Sequence, residues 1–211
     1  VKNLTINLNK IGVETDIMTF NMIRKWEPKW KYEVSNERFK VFRVPAINPF
    51  RRRFNLIGFF FKLNVIPSFR FSKILKDYDI LHFHDDVDLT FPFFSFFVRK
   101  PKVFHYHTLH DTFTFYKRNP ISKFVLIKSS DVHLAVSSNI AKLIRELGAS
   151  EVKIFPNGID VNKFAFNSKN REENLILFVG RLVRRKGIHI LLKSLSLLRT
   201  SIHLVIIGPY S

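Results

Sequence analysis

The sequence predicts an α/β protein built on parallel sheets, and three observations predict it. From residue 77 onward, strand-length apolar runs alternate with segments whose apolar residues recur at spacings of three and four. The residues with chemistry to offer fall at the ends of the strand runs, where open parallel sheets place their ligands. A polar, aperiodic stretch at 161–174 (VNKFAFNSKNREEN) separates two alternating regions. Two parallel sheets are therefore expected, the second represented by its first βαβ unit.

The elements justify themselves in order. Leu4, Leu8 and Ile11 form one apolar helix face, and Gly12 stands where a C-cap glycine belongs. Val13 to Phe20 is expected as a strand, and 21–38, with Trp26, Pro28 and Trp30 among charges, as an irregular excursion. A second strand runs from Phe39 to Val44 and is expected to stop at Pro45. Residues 50–76 are basic and aromatic, with two helical pieces expected to break at Pro67. Strands follow at 78–83, 103–107, 132–136 and 152–155, with helical patterns at 91–98, 122–128 and 139–147, the last stopped by Gly148. After the polar stretch come a strand at 175–179, a helix at 187–198 and a strand at 202–207.

Composition narrows the class. The 211 residues carry a formal charge of +18, which attracts polyanions: nucleic acid, anionic lipid or phosphorylated ligands. The absence of Cys excludes disulfides and thiolate metal sites and fits a reducing compartment. No uncharged apolar run is long enough to span a membrane, and no secretory signal precedes the first element. Both ends read as cut, Val1 within a helical pattern and Ser211 directly after a strand.

Phe178 to Gly187, FVGRLVRRKG, joins a strand to a helix. Such a turn aims free backbone N–H groups and the positive end of a helix at whatever lies above it. Arg181, Arg184, Arg185 and Lys186 add four cations. The segment is either an anion site, with phosphate the usual anion, or a solvated basic loop. Gly180 would let a phosphate approach the backbone closely.

Other strand ends carry candidates for the rim of an active site. His82, His84 and Asp85 close one strand, and His107, His110 and Asp111 the next. Ser137 and Ser138 follow a third, and Pro156, Asn157, Gly158 and Asp160 a fourth. His110, past its strand with Asp111 beside it, could reach a ligand hydroxyl or phosphate. The plainer roles are a helix N-cap for Ser137 and Ser138, a turn for Asn157-Gly158, and satisfied core histidines at His105, His133 and His203. Five histidines near two adjacent strand ends could form a metal site, with His82 and His84 on one side of their strand and His105 and His107 on one side of theirs, but no Cys and no helical His-Glu pair accompany them, so no metal is expected. One reading of the basic-aromatic region makes the phenylalanines core and the cations the wet face. Alternatively, Arg51, Arg52, Arg53, Phe59 and Phe60 form a surface for anionic membrane. Nucleic-acid binding is not expected, because no nucleic-acid module accompanies the charge.

Taken together, TLHD at 108–111, AVSSNIAKLI at 135–144, IFPNGIDVNKF at 154–164, FVGRLVRRKGI at 178–188 and HLVIIG at 203–208 resemble family-four retaining glycosyltransferases of the GT-B fold. The likeness covers essentially the whole chain, most clearly residues 77–208. It implies an acceptor-side Rossmann-like domain over 1–160, a linker over 161–174, and the start of a nucleotide-sugar-binding Rossmann-like domain over 175–211, the two facing across a cleft. It implies that Arg181 and Lys186 grip the donor diphosphate, without a metal, and that His110 is the catalytic histidine near the transferred sugar. No cofactor is implied; the nucleotide sugar is a co-substrate. The partners implied are that donor, a glycan, lipid-linked or small-molecule acceptor, and a peripheral contact with anionic membrane. The place implied is the cytoplasm, at the inner face of the membrane. The family also has an opening strand with a glycine-rich loop and a later pair of glutamates seven residues apart, and neither is found here. The expectation is a glycosyltransferase whose 211-residue piece is inactive alone. A non-catalytic basic module and a nucleotide-sugar epimerase of the same fold are the alternatives.

Overall fold

The computed structural model describes residues 1–22, 32–34, 39–47, 66–67, 70–84, 89–96, 98–164 and 172–209. The chain divides into two units, Val1–Gly158 and Ile159–Ser211.

The first unit opens with helix α1 (Lys2–Lys10), which the chain leaves through Gly12 at a φ of 87°, a conformation glycine adopts without steric cost. The strand expected from Val13 starts later: β1 is Ile17–Met22. Asn9 is the cause. Its side-chain amide donates to the Thr15 carbonyl at 2.9 Å and its oxygen accepts from the Thr15 N–H at 3.3 Å, which holds 13–16 as a loop. Two strands follow, β2 (Tyr32–Val34) and β3 (Lys40–Ile47), and a short one, β4 (Ile66–Pro67). β3 pairs parallel with β1 and antiparallel with both β2 and β4. Pro45 does not end β3. β2 pairs with residues 40–42 and β4 with 46–47, so neither antiparallel partner calls on the N–H that Pro45 lacks. Nor does Pro67 break a helix; it sits in β4, and helix α2 (Arg70–Lys76) begins after it. The other expected helical piece, with Arg51, Arg52, Arg53, Phe59 and Phe60, lies outside the described residues.

The second sheet of this unit is fully parallel. β5 (Leu81–His84), β6 (Lys102–Tyr106), β7 (Val132–Ala135) and β8 (Val152–Ile154) lie side by side in chain order. Between them run α3 (Thr90–Ser95), α4 (His110–Arg118), α5 (Pro120–Lys128) and α6 (Ser138–Glu146). The sequence reading has no α4. Leu109 and Tyr116, both wholly buried, are the seven-residue repeat that carries it. Asn119 then starts α5, accepting the Ser122 N–H at 3.0 Å with Pro120 in the first turn. The core packs Phe71 and Leu75 of α2 against Phe83, Phe104, Tyr106, Leu126 and Ile144. His133 is the satisfied core histidine expected of it, with Nδ1 2.9 Å from the Tyr106 hydroxyl. His203 is not: it is exposed, because it opens the last strand of a sheet of two.

The second unit is a βαβ: β9 (Leu175–Val179), α7 (Ile188–Leu195) and β10 (His203–Ile207), the strands parallel from His203 opposite Leu175 to Ile207 opposite Val179. Among the described residues no helix is long and apolar enough to cross a membrane.

Candidate functional site

Because β5 to β8 are parallel, their carboxyl ends share one edge, and the predicted rim residues collect there. His84 ends β5, His107 follows β6, Ser137 follows β7 and Asn157 follows β8. His110 and Asp111 are the first two residues of α4, at the same edge. Asp85 lies outside the described residues. Ser137 also fills its plainer role: its hydroxyl accepts the Ile140 N–H at 3.4 Å and caps α6. Asn157 is exposed in the loop after β8.

Sheet register builds a feature that no single strand shows. Residues two apart share a face of a strand, so His82 and His84 lie on one side of β5, and His105 and His107 on one side of β6 and its extension. His84 stands opposite His105. The four rings therefore pack as an array: centroids are 4.2 Å apart for His82 and His84, 5.2 Å for His84 and His105, and 4.6 Å for His105 and His107. His84 Nδ1 and His107 Nε2 are 3.0 Å apart. Desolvation, followed by the neighbouring imidazoles, pushes His82 down to about 4 and His84 down to about 3. Burial also lowers His105, against the opposing effect of its hydrogen bond to the Phe155 carbonyl. At neutral pH these three rings are uncharged. A cavity of about 480 Å³ between β1 and β5 opens onto the array, lined by Ile17, Met18, Phe20, Leu81, His82 and His84.

In the second unit the turn after β9 has the predicted form. The Gly180 N–H donates to the Ile207 carbonyl at 2.9 Å and the Leu182 N–H to the Pro209 carbonyl at 3.3 Å, so the ends of β9 and β10 are tied. Arg184–Lys186 make one turn of 3₁₀ helix, and Gly187, at a φ of 76°, leads into α7. Arg181 and Lys186 are exposed and, among the described residues, form no side-chain hydrogen bond or ion pair. No Asp or Glu occurs after Glu173, so Arg181 and Lys186 meet no carboxylate from β9, α7 or β10. Exposed cations beside a helix N-terminus can hold a di-anion such as a diphosphate.

His107, a rim candidate from its strand end, is brought to His84 by the pairing of β5 with β6, which strand ends alone do not show. The available signal is the repeated His-x-His, once on each of two consecutive strands.

Comparison with known proteins follows the same division. Residues 1–163 match the family model described as Glycosyltransferase Family 4, and residues 160–211 match that described as Glycosyl transferases group 1. A glycosyltransferase assigned to teichuronic acid biosynthesis in Bacillus subtilis, TuaC, is 31% identical over a match covering 39% of this chain and 24% of that protein. Among solved structures, sucrose-phosphate synthase from Thermosynechococcus elongatus superposes with a TM-score of 0.66 at 16% identity, over 100% of this chain and 56% of its own. HepE from Anabaena, solved in complex with UDP, gives 0.58 at 18% identity, over 83% of this chain and 49% of its own. The chain thus spans about half the length of these solved relatives, and the likeness establishes the GT-B fold.

Proposed function

The chain belongs to Glycosyltransferase Family 4, and from that premise we propose that the whole protein moves a sugar from a nucleotide-sugar donor to an acceptor with retention of configuration. The observation that carries the proposal is the turn at 180–187, where Arg181 and Lys186 stand exposed after the carboxyl end of β9 and, among the described residues, form no side-chain hydrogen bond or ion pair. The UDP held by HepE supports a nucleoside diphosphate as the anion.

The chemistry follows from what each group can do. The bond between the sugar's anomeric carbon and the diphosphate oxygen breaks, and an acceptor oxygen bonds to the same carbon on the same face. The acceptor's proton passes to the departing phosphate oxygen. Negative charge on the diphosphate grows as its bond breaks, so cations fixed beside it stabilise the transition state more than the ground state. Arg181 offers a planar fork of donors to two phosphate oxygens, and Lys186 a compact charge. Gly180 and Gly187 leave the approach to the turn clear of Cβ atoms. His110, at the start of α4, serves the transferred sugar, with His84, Asp85, Asp111, Ser137 and Asn157 as the acceptor-side rim. The transferred group is a hexose and the acceptor a glycan or a lipid-linked or small molecule.

Replacing Arg181 and Lys186 with Ala in the whole protein should each lower kcat by about a hundredfold. A double variant that keeps activity within about tenfold of the unmodified enzyme would remove the diphosphate role. The proposal includes peripheral contact with anionic membrane at its cytoplasmic face through Arg51, Arg52, Arg53, Phe59 and Phe60. Neutralising the three arginines should release the protein from anionic vesicles in flotation; unchanged flotation rejects that contact.

A further inference from the structure

We infer that the histidine array at the ends of β5 and β6 is a binding site for one divalent transition-metal ion of the zinc class, with His82, His84 and His105 as ligands. One ring nitrogen from each of the three lies within 4.8 Å of the other two. Zinc–imidazole bonds of about 2.0–2.1 Å place ligand nitrogens about 3.4 Å apart in a tetrahedron. Rotation of the rings about their terminal torsions, which are soft for histidine, supplies the remaining contraction.

The hydrogen bonds select ligating tautomers. His105 Nε2 lies 3.1 Å from the Phe155 carbonyl oxygen, which can only accept, so Nε2 carries the proton. Its Nδ1 therefore presents a lone pair, and that atom is buried with no hydrogen-bond partner. A buried, unsatisfied ring nitrogen costs free energy unless something fills it. His84 is arranged in a matching way. Its Nδ1 is spent on His107 Nε2 at 3.0 Å, which leaves Nε2 for the ion and makes His107 the outer partner that fixes the ring. His82 is the most exposed of the three and faces the cavity between β1 and β5, the entry path for the ion.

The donor set chooses the ion. The three imidazoles that the described residues bring together suit Zn²⁺, Co²⁺, Ni²⁺ or Cu²⁺ and not the oxygen-seeking Mg²⁺ or Ca²⁺. Three protein ligands leave a fourth position for water, as in open zinc sites. The inference does not rest on the proposed sugar transfer, and it departs from the sequence-based expectation of no metal. That expectation weighed residue types and helical spacing, whereas the site arises from pairing between two strands.

The test is titration of the full 211-residue chain, stripped with chelator, with Zn²⁺ by calorimetry and with Co²⁺ by visible absorption. One ion per chain is expected, with the intense visible bands of four-coordinate cobalt. His82→Ala, at an exposed ring, should weaken binding at least about tenfold. His82→Ala combined with His84→Ala should abolish it, with circular dichroism unchanged. His189→Ala and His203→Ala, at exposed histidines elsewhere, should have no effect. No stoichiometric binding, or binding removed by the His189 and His203 changes and untouched by those at His82 and His84, overturns the inference.

Discussion

A Cβ built on Gly208 would overlap the carbonyl of Gly180, so the last residue of HLVIIG is glycine because the turn after β9 rests on it. Gly208→Ala must push that turn outward. It should destabilise the second unit by about 1–3 kcal/mol, the usual result of overpacking. Hydrogen exchange reads it directly: the Gly180 N–H, bonded to the Ile207 carbonyl at 2.9 Å, should lose protection. Unchanged protection at that amide would mean that Gly208 is not what positions Arg181. A second single-residue effect belongs to His133. Desolvation lowers its pKa against the opposing effects of a bond to the Ile127 backbone and the nearby Asp131. Its folded pKa thus lies below the unfolded value of about 6.5. Above that value the ring is neutral in both states and stability is at its full level. As pH falls below it, the unfolded chain takes up a proton that the folded ring refuses, so stability drops, by up to about 1.4 kcal/mol per pH unit. The midpoint of the His133 ring by NMR should lie below the unfolded value. Protonation there with a midpoint near 6.5 would refute the argument.

Elements defined by local pattern were legible, and elements defined by long-range contacts were not. The strands at 81–84, 102–106, 132–135 and 175–179 follow from apolar runs alone, and α6 from its cap and stripe. The first strand began late because Asn9, in the preceding helix, claimed Thr15. Helix α4 was hidden because its wholly buried positions among the described residues are only two, Leu109 and Tyr116, seven residues apart. The candidate site divides in the same way. The rule that ligands gather beyond carboxyl ends of strands picks out His84, Ser137 and Asn157 in the first unit and Gly180 in the second as candidates, and each stands at or after the end of its strand. The histidine array needed the register of β5 on β6. A slip of one residue would send His105 to the opposite face from His84. The contact of Gly208 with Gly180 likewise joins loops that only strand pairing brings together.

The two units of the chain differ in how much they bury, and this sets what each can do alone. In Val1–Gly158 a contiguous core runs from Val44 through Phe104 and Tyr106 to Ala149. In Ile159–Ser211 helix α7 has no buried residue, and Leu177, Val179, Ile190 and Leu192 each keep half or more of their surface exposed. A βαβ with no buried residue among those described gains little from apolar burial to offset the entropy of ordering its residues. Exposed apolar surface of this kind also invites association. The piece 1–158 made alone should therefore unfold in urea in one sigmoidal transition by circular dichroism. The piece 159–211 should show no cooperative transition and should bind the dye ANS. Two-state unfolding of 159–211 by itself would show that its exposed leucines and valines do not limit its stability. Loss of the cooperative transition in 1–158 would show that the core of the first unit depends on residues beyond Gly158.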